Sequence, residues 1–170
     1  MQTKLNSVKW GLILACLTIL MGFLLGALMG GAEEPLRQYW QAGAQQVLPT
    51  VYNNDAQKIA PVIERAWRAL IRAHLHAGAI GTAAVALIYV LSRLNVTEKY
   101  KQINAIFLGL GAMGYSFSWL YTAFKVPLVG NMAAAKASIH YVAVLSVGML
   151  LVGLVSVLGP VIKGLFTKEA

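Results

Sequence analysis

The chain has 170 residues, of which 58% are hydrophobic and 12% charged, and it carries a formal charge of +8. This apolar excess lies above the roughly 45–50% of globular chains and argues for an integral membrane protein. The single cysteine, Cys16, excludes an internal disulfide framework and a CxxCH covalent haem site. The basic residues flank apolar runs instead of interleaving with aromatics, which argues against nucleic acid as a partner.

The first apolar run spans Trp10 to Gly31 and follows Lys4 and Lys9. It is longer than the roughly 7–15 residues of a secretory h-region. About 20 residues at 1.5 Å each match a hydrocarbon layer of about 30 Å. Gly22, Gly26 and Gly30 recur every fourth residue, on one face. Such a ridge lets another helix approach closely, either inside the fold or on a neighbouring membrane subunit.

Residues 33–68 form the longest polar segment, an extramembrane first loop with Pro35, Pro49 and Pro61. Short helices are expected around Leu36–Ala42 and Ala60–Arg68, Pro61 suiting a first turn. Tyr39, Trp40, Tyr52 and Trp67 suit the headgroup level.

Three more spans follow, at about Ala69 to Leu91, Ile103 to Phe124 and Ala137 to Leu158. Lys125-Val126-Pro127 is expected to end the third, and Gly159-Pro160 the fourth. The expected fold class is all-α: one domain, 1–170, forming a membrane four-helix bundle with a partly helical first loop.

The N-terminal tail, second loop and C-terminal tail hold Lys4, Lys9, Arg93, Lys99, Lys101, Lys163 and Lys168. The opposite side holds Arg37, Lys58, Arg65, Arg68, Arg72, Lys125 and Lys136. The counts tie, but tails and short loops are more diagnostic than a long loop. Both termini are therefore expected in the cytoplasm of a bacterial inner membrane, with the opposite face outside.

The chemistry concentrates in the histidines. His74 and His76 enter the second span and His140 the fourth. Those spans run in the same direction, so all three imidazoles are expected at one depth near one face. Ionisable groups in spans are costly and are functional candidates. Two helices presenting histidine at one level suit a haem clamped between axial imidazoles. Arg72 precedes His76 by four residues and Lys136 precedes His140 by four, so each cation is expected on its histidine's face, nearer water. Haem propionates would pair with them. Hence His76 and His140 are the candidate axial ligands of haem b, with Arg72 and Lys136 as propionate partners.

His74 lies about 200° round the helix from His76. It is expected to face the loop, bond a propionate, hold a second centre, or replace His76. Tyr115 and Trp119 of the third span are candidates to wall a cofactor or a quinone pocket. Copper on His74, His76 and His140 is the alternative; a closed zinc site needs four ligands.

The stretch His74-Leu-His76-Ala-Gly78-Ala-Ile-Gly81 resembles the His-x-His-x-Gly-x-x-Gly style of helix in haem-copper oxidase subunit I-like membrane proteins. In those, one such histidine ligates a low-spin haem. The resemblance covers about ten residues, and the chain lacks the histidine set of a binuclear oxygen-reducing centre. It implies a haem-bearing electron-transfer module, with quinone or an external electron-transfer protein as partner.

Other chemistries find little footing. No phosphate-binding glycine loop or nucleophile elbow is present, and the six acidic residues lie outside the spans. A carboxylate proton relay and ion-coupled transport are therefore disfavoured. A non-catalytic electron-transfer or accessory subunit is expected ahead of a stand-alone enzyme. Its rival is a cofactor-free structural or assembly subunit.

Overall fold

The computed structural model describes residues 5–166, all helix, turn and short linkers, with no strand among them. Lys4 and Lys168, used above for orientation, lie outside the described residues. The helices are α1 (Lys9–Gly31), α2 (Glu33–Gln46), α3 (Leu48–Val51), α4 (Ile59–Arg93), α5 (Glu98–Val129), α6 (Met132–Ala137) and α7 (His140–Phe166). Of these, α1, α4, α5 and α7 are long and apolar enough to cross a membrane. Their outer faces expose Phe23, Leu24, Leu145 and Val155, as lipid contact requires.

Helix α5 is the axis of the fold. Helices α1 and α4 pack against it and each other, whereas α7 packs on α5 and scarcely touches α4. The buried stripe of α4 is Ala66, Leu70, Ala73, Ala77, Gly81, Ala84, Ile88 and Leu91, recurring at three and four residues. Its small members allow close approach. A Cβ added at Gly22 of α1 would meet the Gly78 nitrogen at 3.0 Å.

The loop is more helical than expected. Helix α4 begins at Ile59, ten residues before the apolar run, and continues unbroken for 35 residues. That is about 52 Å, well beyond a hydrocarbon layer of about 30 Å. Val62, Ile63 and Ala66 are buried in this projecting part, so tertiary packing sustains a helix whose other face is polar. Helix α2 folds onto it. Trp40 is buried, edge-on to Trp67 at 6.3 Å and Phe124 at 5.7 Å. Arg37 pairs with Glu33 at 2.8 Å and with Glu64 of α4, and lies 4.8 Å from the Trp67 ring. The hydrogen bond that Arg37 donates to Glu64 holds its guanidinium above its ordinary pKa.

Two helix ends differ from expectation. The third span, α5, passes Pro127 and stops at Gly130, whose φ of +67° favours glycine. Pro127 sits in the last turn, and its carbonyl accepts a 2.6 Å hydrogen bond from the Tyr52 hydroxyl. The fourth span, expected from Ala137, starts three residues later and follows a short separate helix. The Asn131 side chain caps α6, accepting from the Ala133 amide at 2.7 Å. A turn at Ser138–Ile139 follows, and α7 starts at His140 and runs through Pro160 to Phe166.

Candidate functional site

Trp119 of α5 is where the predicted residues meet. From α4, the Arg72 guanidinium lies 4.9 Å from its ring centroid. From α6, the Lys136 ammonium lies 4.5 Å from the same ring. The His76 ring is nearly parallel to the indole, at 27° and 5.9 Å, and edge-on to Tyr115 at 5.1 Å. One indole is thus bordered by a cation from each side of α5 and by one imidazole.

The His76 Nδ1 donates to the Arg72 carbonyl, 2.6 Å away in the preceding turn. A carbonyl accepts only from a protonated nitrogen, so Nδ1 carries a hydrogen, and in the neutral ring Nε2 then keeps its lone pair. Metal-bound histidines use this tautomer, with the other ring nitrogen fixed by a backbone carbonyl.

His74 has a different situation. Its Nδ1 donates to the Gly22 carbonyl of α1 at 2.8 Å. The ring lies over Gly26, where an added Cβ would meet His74 Cε1 at 2.9 Å. The 200° offset from His76 thus turns His74 to α1 and His76 to α5. Of the glycine ridge expected to pack either inside the fold or on a neighbouring subunit, Gly22 and Gly26 are engaged inside the fold. Gly30 alone would meet nothing within 4 Å.

His140 is exposed at the start of α7, edge-on to Tyr141 at 5.7 Å. It lines a cavity of about 180 Å³ with Tyr115, Ser118, Trp119, Thr122, Lys136, Ile139 and Ala143. The expected continuous helix between Lys136 and His140 is absent, because the Ile139 amide bonds the Lys136 carbonyl at 3.2 Å and tightens the turn. The two side chains nonetheless line the same cavity. Ser118 and Thr122 donate back to the carbonyls of Tyr115 and Ser118, at 2.6 and 2.7 Å. Their hydroxyls therefore offer only lone pairs to the cavity, and the donors among its lining residues are Tyr115, Trp119, Lys136 and His140. The sequence marked this half of α5 as polar, without indicating which hydroxyls line a space.

The donors suit haem in kind: an imidazole on α4, a second on α7, a cation with each, and an aromatic surface between. Space is tighter, since the cavity is below the roughly 300 Å³ at which ligand pockets begin. His76 lies on Trp119, so it must lift off the indole to face a ring standing between α4 and α7. For the copper alternative, no group of three or more His, Cys, Asp or Glu gathers among the described residues. Comparison with family models, curated proteins and solved structures gives no match.

Proposed function

We propose that the chain is a membrane-embedded b-type cytochrome subunit, a four-helix bundle with both termini cytoplasmic. One observation carries this reading: α4 and α7 flank α5 and bring His76 and His140 to the same Tyr115–Trp119 surface, each with a cation beside it. His76, through Nε2, and His140 would be the axial ligands. Arg72 and Lys136 would turn from Trp119 to the propionates, which attract them more strongly than an indole face does. Bound haem supplies one-electron redox chemistry. The protein tunes it through the Arg72 carbonyl that fixes the His76 tautomer, through the two cations, and through apolar surroundings. A quinone or an external electron-transfer protein would be the partner.

A second reading, a cofactor-free structural subunit, is favoured by the bond of His74 to α1 and by the stacking of His76 on Trp119. An absorption spectrum of the purified protein, oxidised and dithionite-reduced, separates the two. The cytochrome reading expects a sharp Soret band and split reduced α and β bands. It expects His76→Ala and His140→Ala each to lose the haem while keeping the helical circular-dichroism signal. A featureless visible spectrum in protein from its native membrane refutes it and leaves the structural reading. Full haem retention by either variant removes that residue as a ligand.

A further inference from the structure

Arg65, Arg68, Arg72 and His76 follow one another at three and four residues along α4, within about 80° of its circumference. The three arginines are exposed, and no ion pair reaches any of them among the described residues. The acids at this end are otherwise engaged. Glu33 and Glu64 hold Arg37, Asp55 holds Lys58, and Glu34 accepts from Gln38. An uncompensated positive strip therefore runs down the projecting part of α4 to the edge of its apolar run.

Its depth identifies the partner. Arg65 to Arg72 covers about 10 Å along the axis. Headgroups occupy about 5–7 Å on each side of the hydrocarbon layer. With apolar residues beginning near Ala69, the strip brackets the start of the apolar part of α4, the level at which headgroups meet a spanning helix. Arg65 further lines a cavity of about 290 Å³ with Lys58, Tyr52, Pro61 and Gly130, so the upper end has room as well as charge. Guanidinium groups suit phosphate oxygens through paired hydrogen bonds.

We infer that the strip Arg65–Arg68–Arg72, with the Lys58–Arg65 cavity, binds the phosphate headgroups of anionic phospholipids. This goes beyond the haem reading, and only Arg72 is common to the two. Arg65 and Arg68 touch neither His76 nor His140, so the test uses that pair and leaves the haem assay untouched.

Delipidated full-length protein in neutral detergent is titrated with phosphatidylglycerol, phosphatidylcholine or inorganic phosphate, and bound molecules are counted by native mass spectrometry. Phosphatidylglycerol should bind in preference to phosphatidylcholine. Arg65→Gln with Arg68→Gln should weaken it about thirtyfold, from about 1 kcal/mol per arginine at an anionic surface. Replacement of both by lysine should restore much of the affinity. An unchanged affinity in the double glutamine variant overturns the proposal, as does equal binding of the two lipids. Displacement of the lipid by excess inorganic phosphate overturns the lipid assignment in favour of a free-anion site. The melting temperature of each variant without lipid identifies any loss that comes from misfolding.

Discussion

Gly26 and Gly30 are one turn apart on α1 and should respond oppositely to alanine. Glycine within a helix costs about 0.8–1.0 kcal/mol relative to alanine. At Gly30 an added Cβ meets nothing within 4 Å, so Gly30→Ala should gain up to about 1 kcal/mol. At Gly26 the methyl meets His74 Cε1 at 2.9 Å and Nδ1 at 3.2 Å. The ring must move, which strains the 2.8 Å bond to the Gly22 carbonyl. Overpacking costs about 1–3 kcal/mol, and an interhelical hydrogen bond between apolar helices adds about 0.6. Against the propensity gain, Gly26→Ala should come out destabilised by about 0.6–2.8 kcal/mol. Thermal unfolding followed by circular dichroism in one detergent measures both. Equal shifts of one sign would refute the packing of His74 between α1 and α4. If Gly30→Ala instead breaks up a larger assembly, seen by size exclusion at unchanged stability, Gly30 contacts a second subunit.

Removing Arg37 should loosen the cap formed by α2. Arg37→Ala loses two half-exposed ion pairs and a cation–π contact, about 1–2 kcal/mol together. Proteolysis within residues 32–58 should accelerate while α5 and α7 stay protected; uniform resistance would contradict the docking. Tyr52 should make the cap sensitive to alkali. Burial raises its folded pKa above the ordinary value near 10. The folded chain then keeps a proton that the unfolded chain releases, so this stability is complete below about pH 10 and falls as pH rises further. Tyr52→Phe should cost about 1–2 kcal/mol at neutral pH by leaving the Pro127 carbonyl unbonded. It should also flatten the alkaline decline, and an unchanged alkaline profile would rule out Tyr52 as its source.

The apolar runs were legible because nothing competes with them: α1 differs from its expected span by one residue at the start. The start of α4 was legible to one residue as the short helix expected over Ala60–Arg68; its unbroken run into the span was not, since it rests on the packing of Val62, Ile63 and Ala66 beneath the cap. Proline misled at the other ends. Helices usually stop before a proline, but α5 carries Pro127 in its last turn at the loss of one backbone hydrogen bond, and Gly130 makes the stop. The Asn131 cap, which starts α6, lies where the sequence reads as a connecting loop and was not visible as a helix start. Spacing revealed that Gly22, Gly26 and Gly30 share a face. It did not reveal that α4 covers two of them.

The histidines show what periodicity transmits and what it does not. Their common level follows from topology alone, because α4 and α7 run the same way. Their separate situations follow from which neighbour each meets, which only packing decides. Two residues of offset turn His74 onto the α1 backbone and His76 onto the α5 aromatics. His140 reaches the same aromatics because the turn at Ser138–Ile139 starts α7 afresh on the other flank of α5. Trp119 is therefore the residue that connects the candidate ligands. A tryptophan at a membrane edge reads in sequence as an anchor, since aromatic belts are common there. Here its indole borders Arg72, Lys136 and His76 together, and any ligand entering between α4 and α7 must first displace them from it.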